Sequence, residues 1–152
     1  MNTQDADSRG SYARAIIRTA DWPEEKEQLS SVRRQVFIVE QQVPEELEWD
    51  EFDETSTHFI ASIGDKIIGT ARLKTDGQVG RMAVLEPYRK HGIGSQLLQL
   101  VLSTAQDKHY PKVYLHAQVE AIPFYEKHGF TAEGDVFYEA NIPHRGMIKI
   151  LC

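Results

Sequence analysis

The stretch YRKHGIGSQLL, residues 88–98, decides how this chain is read. It sets Arg89, Lys90 and His91 against Gly92 and Gly94, and an apolar helical pattern follows at once. Before it, QVGRMAVL (residues 78–85) has the pattern of a strand closed by Glu86-Pro87. After it, Leu97, Leu98, Val101, Leu102 and Ala105 recur at helical spacing and predict an amphipathic helix over about residues 94–108. The basic turn therefore joins a strand to a helix. The first turn of a helix has N–H groups without intrahelical partners, and its dipole favours an anion. Two glycines let the backbone approach a ligand closely, and Ser95 adds a hydroxyl. Phosphate or pyrophosphate is the guest this chemistry suits. From spacing alone, a plain turn into a surface helix would look the same. GxxxxGK[ST] and GxGxxG are both absent, so neither a P-loop nor a dinucleotide fingerprint explains the turn.

Outward from that turn the chain alternates between strand and helix patterns. Residues 13–20 (ARAIIRTA) read as a short first strand. Pro23 with Glu24 and Glu25 beside it marks a helix start, and Leu29, Val32, Val36 and Phe37 carry the helix as far as Pro44. PEELEWDEFDETS is an expected loop, with seven acids between Glu45 and Glu54. Two strands joined at Gly64-Asp65 follow, then a turn at Asp76-Gly77. PKVYLHA alternates, with Val113 and Leu115 on one face and Tyr114 and His116 on the other. VEAIPFYEKHGF is a short helix stopped by Gly129, and MIKIL is a last strand. The order predicts a mixed α/β (α+β) fold: a mostly antiparallel sheet, helices on both faces and one β-α-β unit.

Composition narrows the class. The chain has 152 residues, enough for one domain, with 41% hydrophobic and 26% charged residues. Its net charge of -6 argues against a general nucleic-acid binder. No apolar run reaches the roughly 20 residues of a membrane span. The polar start has no signal-peptide core. The lone cysteine, Cys152, ends the chain, so no internal disulfide is available and a cytoplasmic setting is expected. Residues 1–12 read as a flexible tail and 13–152 as one domain. The carboxylates of the acidic stretch lack EF-hand spacing, so no metal is expected.

Arg89-x-x-Gly92-x-Gly94 resembles the acyl-CoA pyrophosphate loop of GCN5-related N-acetyltransferases, (Q/R)-x-x-G-x-(G/A). RMAVLEPYR resembles the family's fourth strand. QVEAIPFYEKHGF resembles its N-x-x-A-x-x-F-Y-x-x-x-G-F segment: Ala121, Phe124, Tyr125, Gly129 and Phe130 stand in register, and Gln118 replaces the usual Asn. The element order is that of the family over about residues 13–151. VFIVEQQVPEELEWDEFD and NIPHRGMIKI are further similar to its ElaA/YjcF-like branch.

The resemblance implies an N-acetyltransferase that binds acetyl-CoA and transfers acetyl directly to the amine of a small molecule or peptide. A homodimer is compatible with it. The cofactor would lie on Met82, Ala83 and Val84, on the loop Arg89, Lys90, His91, Gly92, Ile93, Gly94 and Ser95, and beside Gln118, Ala121, Phe124 and Tyr125. Tyr125 would be the acid for the thiolate, since a phenol with pKa near 10 stays protonated at neutral pH. Glu40 and His144 are the leading base candidates, with His58 and His116 behind them and a water chain as the alternative. The acidic stretch reads either as a solvated loop or as a means of attracting a cationic acceptor. A silent member that holds acyl-CoA without turnover is the competing expectation.

Overall fold

The computed structural model describes residues 15–151. The expected tail, Ala13, Arg14 and Cys152 lie outside them. Seven strands and four α-helices follow one another: β1 (Ile16–Thr19), α1 (Trp22–Arg33), α2 (Glu45–Glu48), β2 (Thr57–Ile63), β3 (Lys66–Leu73), β4 (Val79–Val84), α3 (Ile93–Asp107), β5 (Lys112–Gln118), α4 (Ile122–Lys127), β6 (Thr131–Glu139) and β7 (Ile142–Ile150). The antiparallel bias is that expected from the sequence, and so is the order, except that α2 stands inside the expected loop, β6 precedes the last strand, and the strands divide into two sheets.

Two differences bear on the site. The helix expected to run to Pro44 stays α-helical only to Arg33 and then widens into a π-helical segment, Arg34–Glu40. Its i→i+5 bond from Gln41 N–H to Val36 O is 3.1 Å. The chain end also carries a full β6–β7 hairpin where only MIKIL was read as a strand. Ala140 and Asn141 both have positive φ at its tip, the twist a two-residue hairpin needs. Alanine is an unusual residue there, which hid the turn.

The strands form two sheets, ordered β1-β2-β3-β4 and β5-β7-β6 and antiparallel throughout. β4 and β5 run parallel and meet at one bridge between Gln78 and Tyr114, where Tyr114 N–H donates to Gly77 O at 3.1 Å. Beyond that bridge they part. Arg81 contributes to the divergence: it has φ of 49°, and the β3–β4 register shifts beside it, between Thr70 and Arg72. Leu85 N–H bonds Ile68 O on β3. Alternation along β4 therefore turns the backbone groups of Met82 and Val84 to the open edge.

The core sits under the splay. Ile93, Leu97, Leu98, Val101 and Ala105 form the buried stripe of α3 and pack on Phe59, Ile68, Ala71, Val113 and Leu115. A Cβ at Gly69 of β3 would stand 3.2 Å from Leu97 Cδ1, so that glycine lets α3 approach the sheet closely. Truncating Leu97 would cost about 2–5 kcal/mol, the range for a buried leucine. The packing fixes where the N-terminus of α3 points, beside the open edge of β4.

Candidate active site: two clefts that share a tyrosine

The smaller cleft, about 400 Å³, lies at the start of α3. Met82, Ala83 and Val84 line one side, Arg89, Lys90, Gly92, Ile93, Gly94 and Ser95 another, and Phe124 and Tyr125 the floor. Most residues expected for a cofactor are gathered here, but Gln118 and Ala121 line the larger cleft instead, and His91 is exposed and outside both linings. Gly92 caps the helix at φ of 81°, a conformation only glycine takes freely, and a Cβ there would point into open space. Gly94 abuts the Phe124 ring, with 3.6 Å from a built Cβ to Cζ. Ser95 Oγ lies 3.1 Å from His128 Nε2. Burial, with Lys149 and Lys127 nearby, lowers the pKa of that imidazole.

Arg89 is tied before any ligand arrives. Its Nε donates to Val84 O at 2.8 Å, and Nη1 and Nη2 donate to the two oxygens of Glu40, both at 2.7 Å. The Arg89 hydrogen bonds hold the Glu40 carboxyl below the usual carboxylate range. Glu40 lines neither cleft. This pair was not visible in the sequence, because its partners are 49 residues apart in the chain.

The larger cleft, about 540 Å³, opens where β4 and β5 part. Phe37 and Gln41 at the end of the π-helical segment, Leu47 and Glu48, Arg81 and Met82, and the β5–β7–β6 residues His116, Gln118, His144 and Glu139 line it, with Ala121 and Tyr125. Widening the helix turn brings Phe37 and Gln41 to its wall. Gln118 Nε2 donates to Gln41 Oε1 at 2.9 Å, so the amide that replaces the family's Asn bridges the mouth of the splay. Met82 and Tyr125 line both clefts.

Tyr125 is half-buried, with its ring edge-on to Phe124 and Phe130. Its hydroxyl donates weakly to Met82 Sδ at 3.7 Å. Burial pushes its pKa up to about 12, so it remains a proton donor at neutral pH. His144 is buried, stacks on Phe137 at 6.0 Å, and holds Nδ1 2.6 Å from Ile142 O. A carbonyl only accepts, so Nδ1 carries the hydrogen and Nε2 keeps a lone pair. His58 lines neither cleft. It stacks on Trp22 at 4.1 Å, bonds Asp53 O through Nε2, and burial lowers its pKa. It is a core histidine.

The expected acidic loop is not a free anionic surface. Glu48 and Asp53 are buried and Asp50 is half-buried, all paired with arginines. Arg33 bonds Glu48 Oε2 at 2.8 Å and Asp53 Oδ1 at 2.9 Å. Arg72 bonds Asp50 and Asp53 at 2.8 and 2.9 Å, and Arg81 reaches Asp50 at 3.1 Å. Three acids and three arginines neutralise one another behind the cleft wall. Glu45 is spent on Arg34 at 2.7 Å. The sequence displayed the acids together and the arginines apart, so their pairing was hidden.

Among the described residues no group of three or more His, Cys, Asp or Glu is arranged to hold a metal, and no helix is long and apolar enough to cross a membrane. A parted β4–β5 pair, a glycine-capped helix start at its edge and a tyrosine shared by two clefts fit the acyltransferase resemblance carried by the sequence. Known proteins agree. The acetyltransferase (GNAT) domain family matches residues 20–151. The uncharacterised N-acetyltransferase YjcF of Bacillus subtilis is 36% identical over 122 residues, 78% of this chain and 87% of the relative. Protein ElaA of Escherichia coli is 34% identical over 130 residues, 80% and 84% of the two chains. The crystal structure of Escherichia coli ElaA superposes with a TM-score of 0.79 at 30% identity, covering 88% of this chain and 99% of that one. That of an acyl-CoA N-acyltransferase from Pseudomonas aeruginosa gives 0.79 at 29%, covering 89% and 97%. The chain belongs to the GNAT family and is an enzyme of the N-acetyltransferase class.

Proposed function

We propose that the protein transfers an acetyl group from acetyl-CoA directly to a primary amine, with the thioester in the smaller cleft and the amine in the larger. The single observation that carries this reading is that Met82 and Tyr125 line both clefts, so a donor and an acceptor would meet there. The names of YjcF as an N-acetyltransferase and of the Pseudomonas protein as an acyl-CoA N-acyltransferase support it.

In this reading the pyrophosphate rests on the first-turn N–H groups of α3, with Arg89, Lys90, Gly92, Gly94 and Ser95 around it. The pantetheine arm extends β4 along the open edge at Met82 and the Val84 N–H, the Val84 carbonyl being held by Arg89. Backbone N–H there polarises the thioester carbonyl. Ala121 and Phe124 wall the thiol end. Tyr125 gives its proton to the departing thiolate. His144 offers Nε2 as base to the nitrogen. Glu40 serves as a positioning residue that orients Arg89, since both its oxygens are engaged and its lowered pKa makes it a weak base.

The test is release of CoA from acetyl-CoA over a panel of primary amines, with Tyr125→Phe alongside wild type. The variant keeps the ring and is expected to lose about 10²–10⁴-fold in kcat with CoA affinity unchanged. Because the tyrosine pKa is raised, kcat in wild type should show no basic limb near 10, where an ordinary phenol ionises. A wild-type single-turnover rate in Tyr125→Phe would remove the assignment. A protein that binds CoA tightly but turns over none of the amines would favour the silent-member reading.

A further inference from the structure

Acylating an ammonium requires more proton traffic than one acid and one base supply. The acceptor arrives with three protons on nitrogen and leaves as an amide with one. Two protons must depart: one before the lone pair can attack, one from the adduct. One is returned to sulfur and the other goes to solvent.

One face of the β5–β7–β6 sheet carries two imidazoles. His116 and Gln118 alternate on β5, Gln118 opposes His144 on β7, and His144 opposes Phe137 on β6, two residues before Glu139. All five side chains share the face that lines the larger cleft. The residue opposite His116 is Gly146, so no side chain stands between His116 and β6. The His116 ring reaches across, meets the Phe137 edge at 5.1 Å, and places Nδ1 2.6 Å from Glu139 Oε1. Phe137 separates the two imidazoles. Their settings differ: the His116 side chain is 37% exposed, whereas His144 is 8% exposed.

We infer that His116, oriented by Glu139, takes the first proton from the acceptor ammonium at the cleft rim and releases it to solvent, leaving His144 to take the second. The inference rests on the acetyltransferase reading above. An ionised Glu139 only accepts, so Nδ1 of His116 carries the hydrogen and Nε2 is free to bind the ammonium proton. The pair then exists as imidazolium and carboxylate until water removes the proton. Proton by proton, ammonium plus acetyl-CoA gives amide, CoA thiol and one released proton. The other charged residues of the lining, Glu48 and Arg81, belong to the neutral arginine network. The titratable groups on this face near His116 include Glu139, Glu133 in the same row across Gly146, His144 beyond Phe137, and Tyr114, the last at 6.3 Å between rings with its hydroxyl donating to Asp76.

The experiment compares wild type, His116→Gln and Glu139→Gln on n-butylamine and on 2,2,2-trifluoroethylamine, which is similar in size but far less basic and is largely unprotonated at neutral pH. His116→Gln should lower kcat/KM about 10²-fold for n-butylamine at pH 7 and leave trifluoroethylamine nearly unchanged. Raising the pH should narrow the butylamine defect. Glu139→Gln, which loosens the His116 ring, should lower kcat/KM for n-butylamine more than for trifluoroethylamine, in the same direction as His116→Gln but less. Equal losses on both amines would mean a structural role and overturn the inference, as would no loss on either. Wild-type protein inert toward both amines would instead defeat the acetyltransferase reading itself.

Discussion

The two clefts meet at Met82 and Tyr125 but are made in opposite ways. The smaller is built largely from one continuous run, Met82 to Ser95, and much of its chemistry is backbone: a free strand edge and a glycine-capped helix start. The larger is built from side chains brought in by the π-helical segment, the acidic stretch, β4, β5 and the β6–β7 hairpin. Its wall stands on buried ion pairs rather than on backbone. A backbone site tolerates side-chain change and fails when the main chain cannot take its shape. A side-chain site fails when one partner of a buried network is removed.

That contrast can be broken at several strengths. Arg33→Ala should have the largest effect. Arg33 is 1% exposed and holds Glu48 and Asp53, so its loss leaves the buried network one positive charge short, with only Arg81 on Glu48 and Arg72 on Asp53. A cost of about 3–5 kcal/mol is expected, read by denaturant unfolding. A near-neutral result would show the network to be dispensable. Gly92→Ala comes next. No atom lies near its new Cβ, so the cost is the left-handed backbone alone, about 1–2 kcal/mol. Calorimetry should then show weaker CoA binding. If stability falls and affinity does not, the loop is only a turn.

Glu40→Gln is the smallest and the sharpest probe of the seam between the clefts. The pair with Arg89 is about one-third exposed, and solvent screening limits its stabilisation to under about 1 kcal/mol. The Glu40 pKa is lowered on folding, so that small contribution is present above the ordinary carboxylate pKa and is lost as pH falls through the lowered value. Without its orienting carboxylate, Arg89 should bind CoA severalfold more weakly. Tighter binding at low salt would mean that Glu40 competes with the ligand for Arg89 rather than positioning it.

Legibility in the sequence follows the same division. The strand–turn–helix at residues 78–108 could be read because local rules suffice: alternation, two glycines and an apolar stripe at helical spacing. Tyr125 was singled out by the resemblance to the family's segment, through its register with Gln118 and Phe130. Glu139 was not, because nothing in FYEAN announces that Gly146 on the next strand will let His116 reach over it. The acids at 45–54 were visible, but the pairing of Glu48, Asp50 and Asp53 was not, since Arg33, Arg72 and Arg81 are distant in the chain.

The sequence by itself determined the order of elements, the buried face of α3 and the glycine-bearing helix start, since each depends on residues a few positions apart. Only the tertiary structure decided that Glu40 binds Arg89, that Asp50 and Asp53 are internal partners, and that two imidazoles share one cleft wall. Those outcomes depend on which distant groups are brought together when β4 and β5 part. Burial then decides them, because a charge or ring nitrogen removed from water must take whatever partner the fold puts within reach.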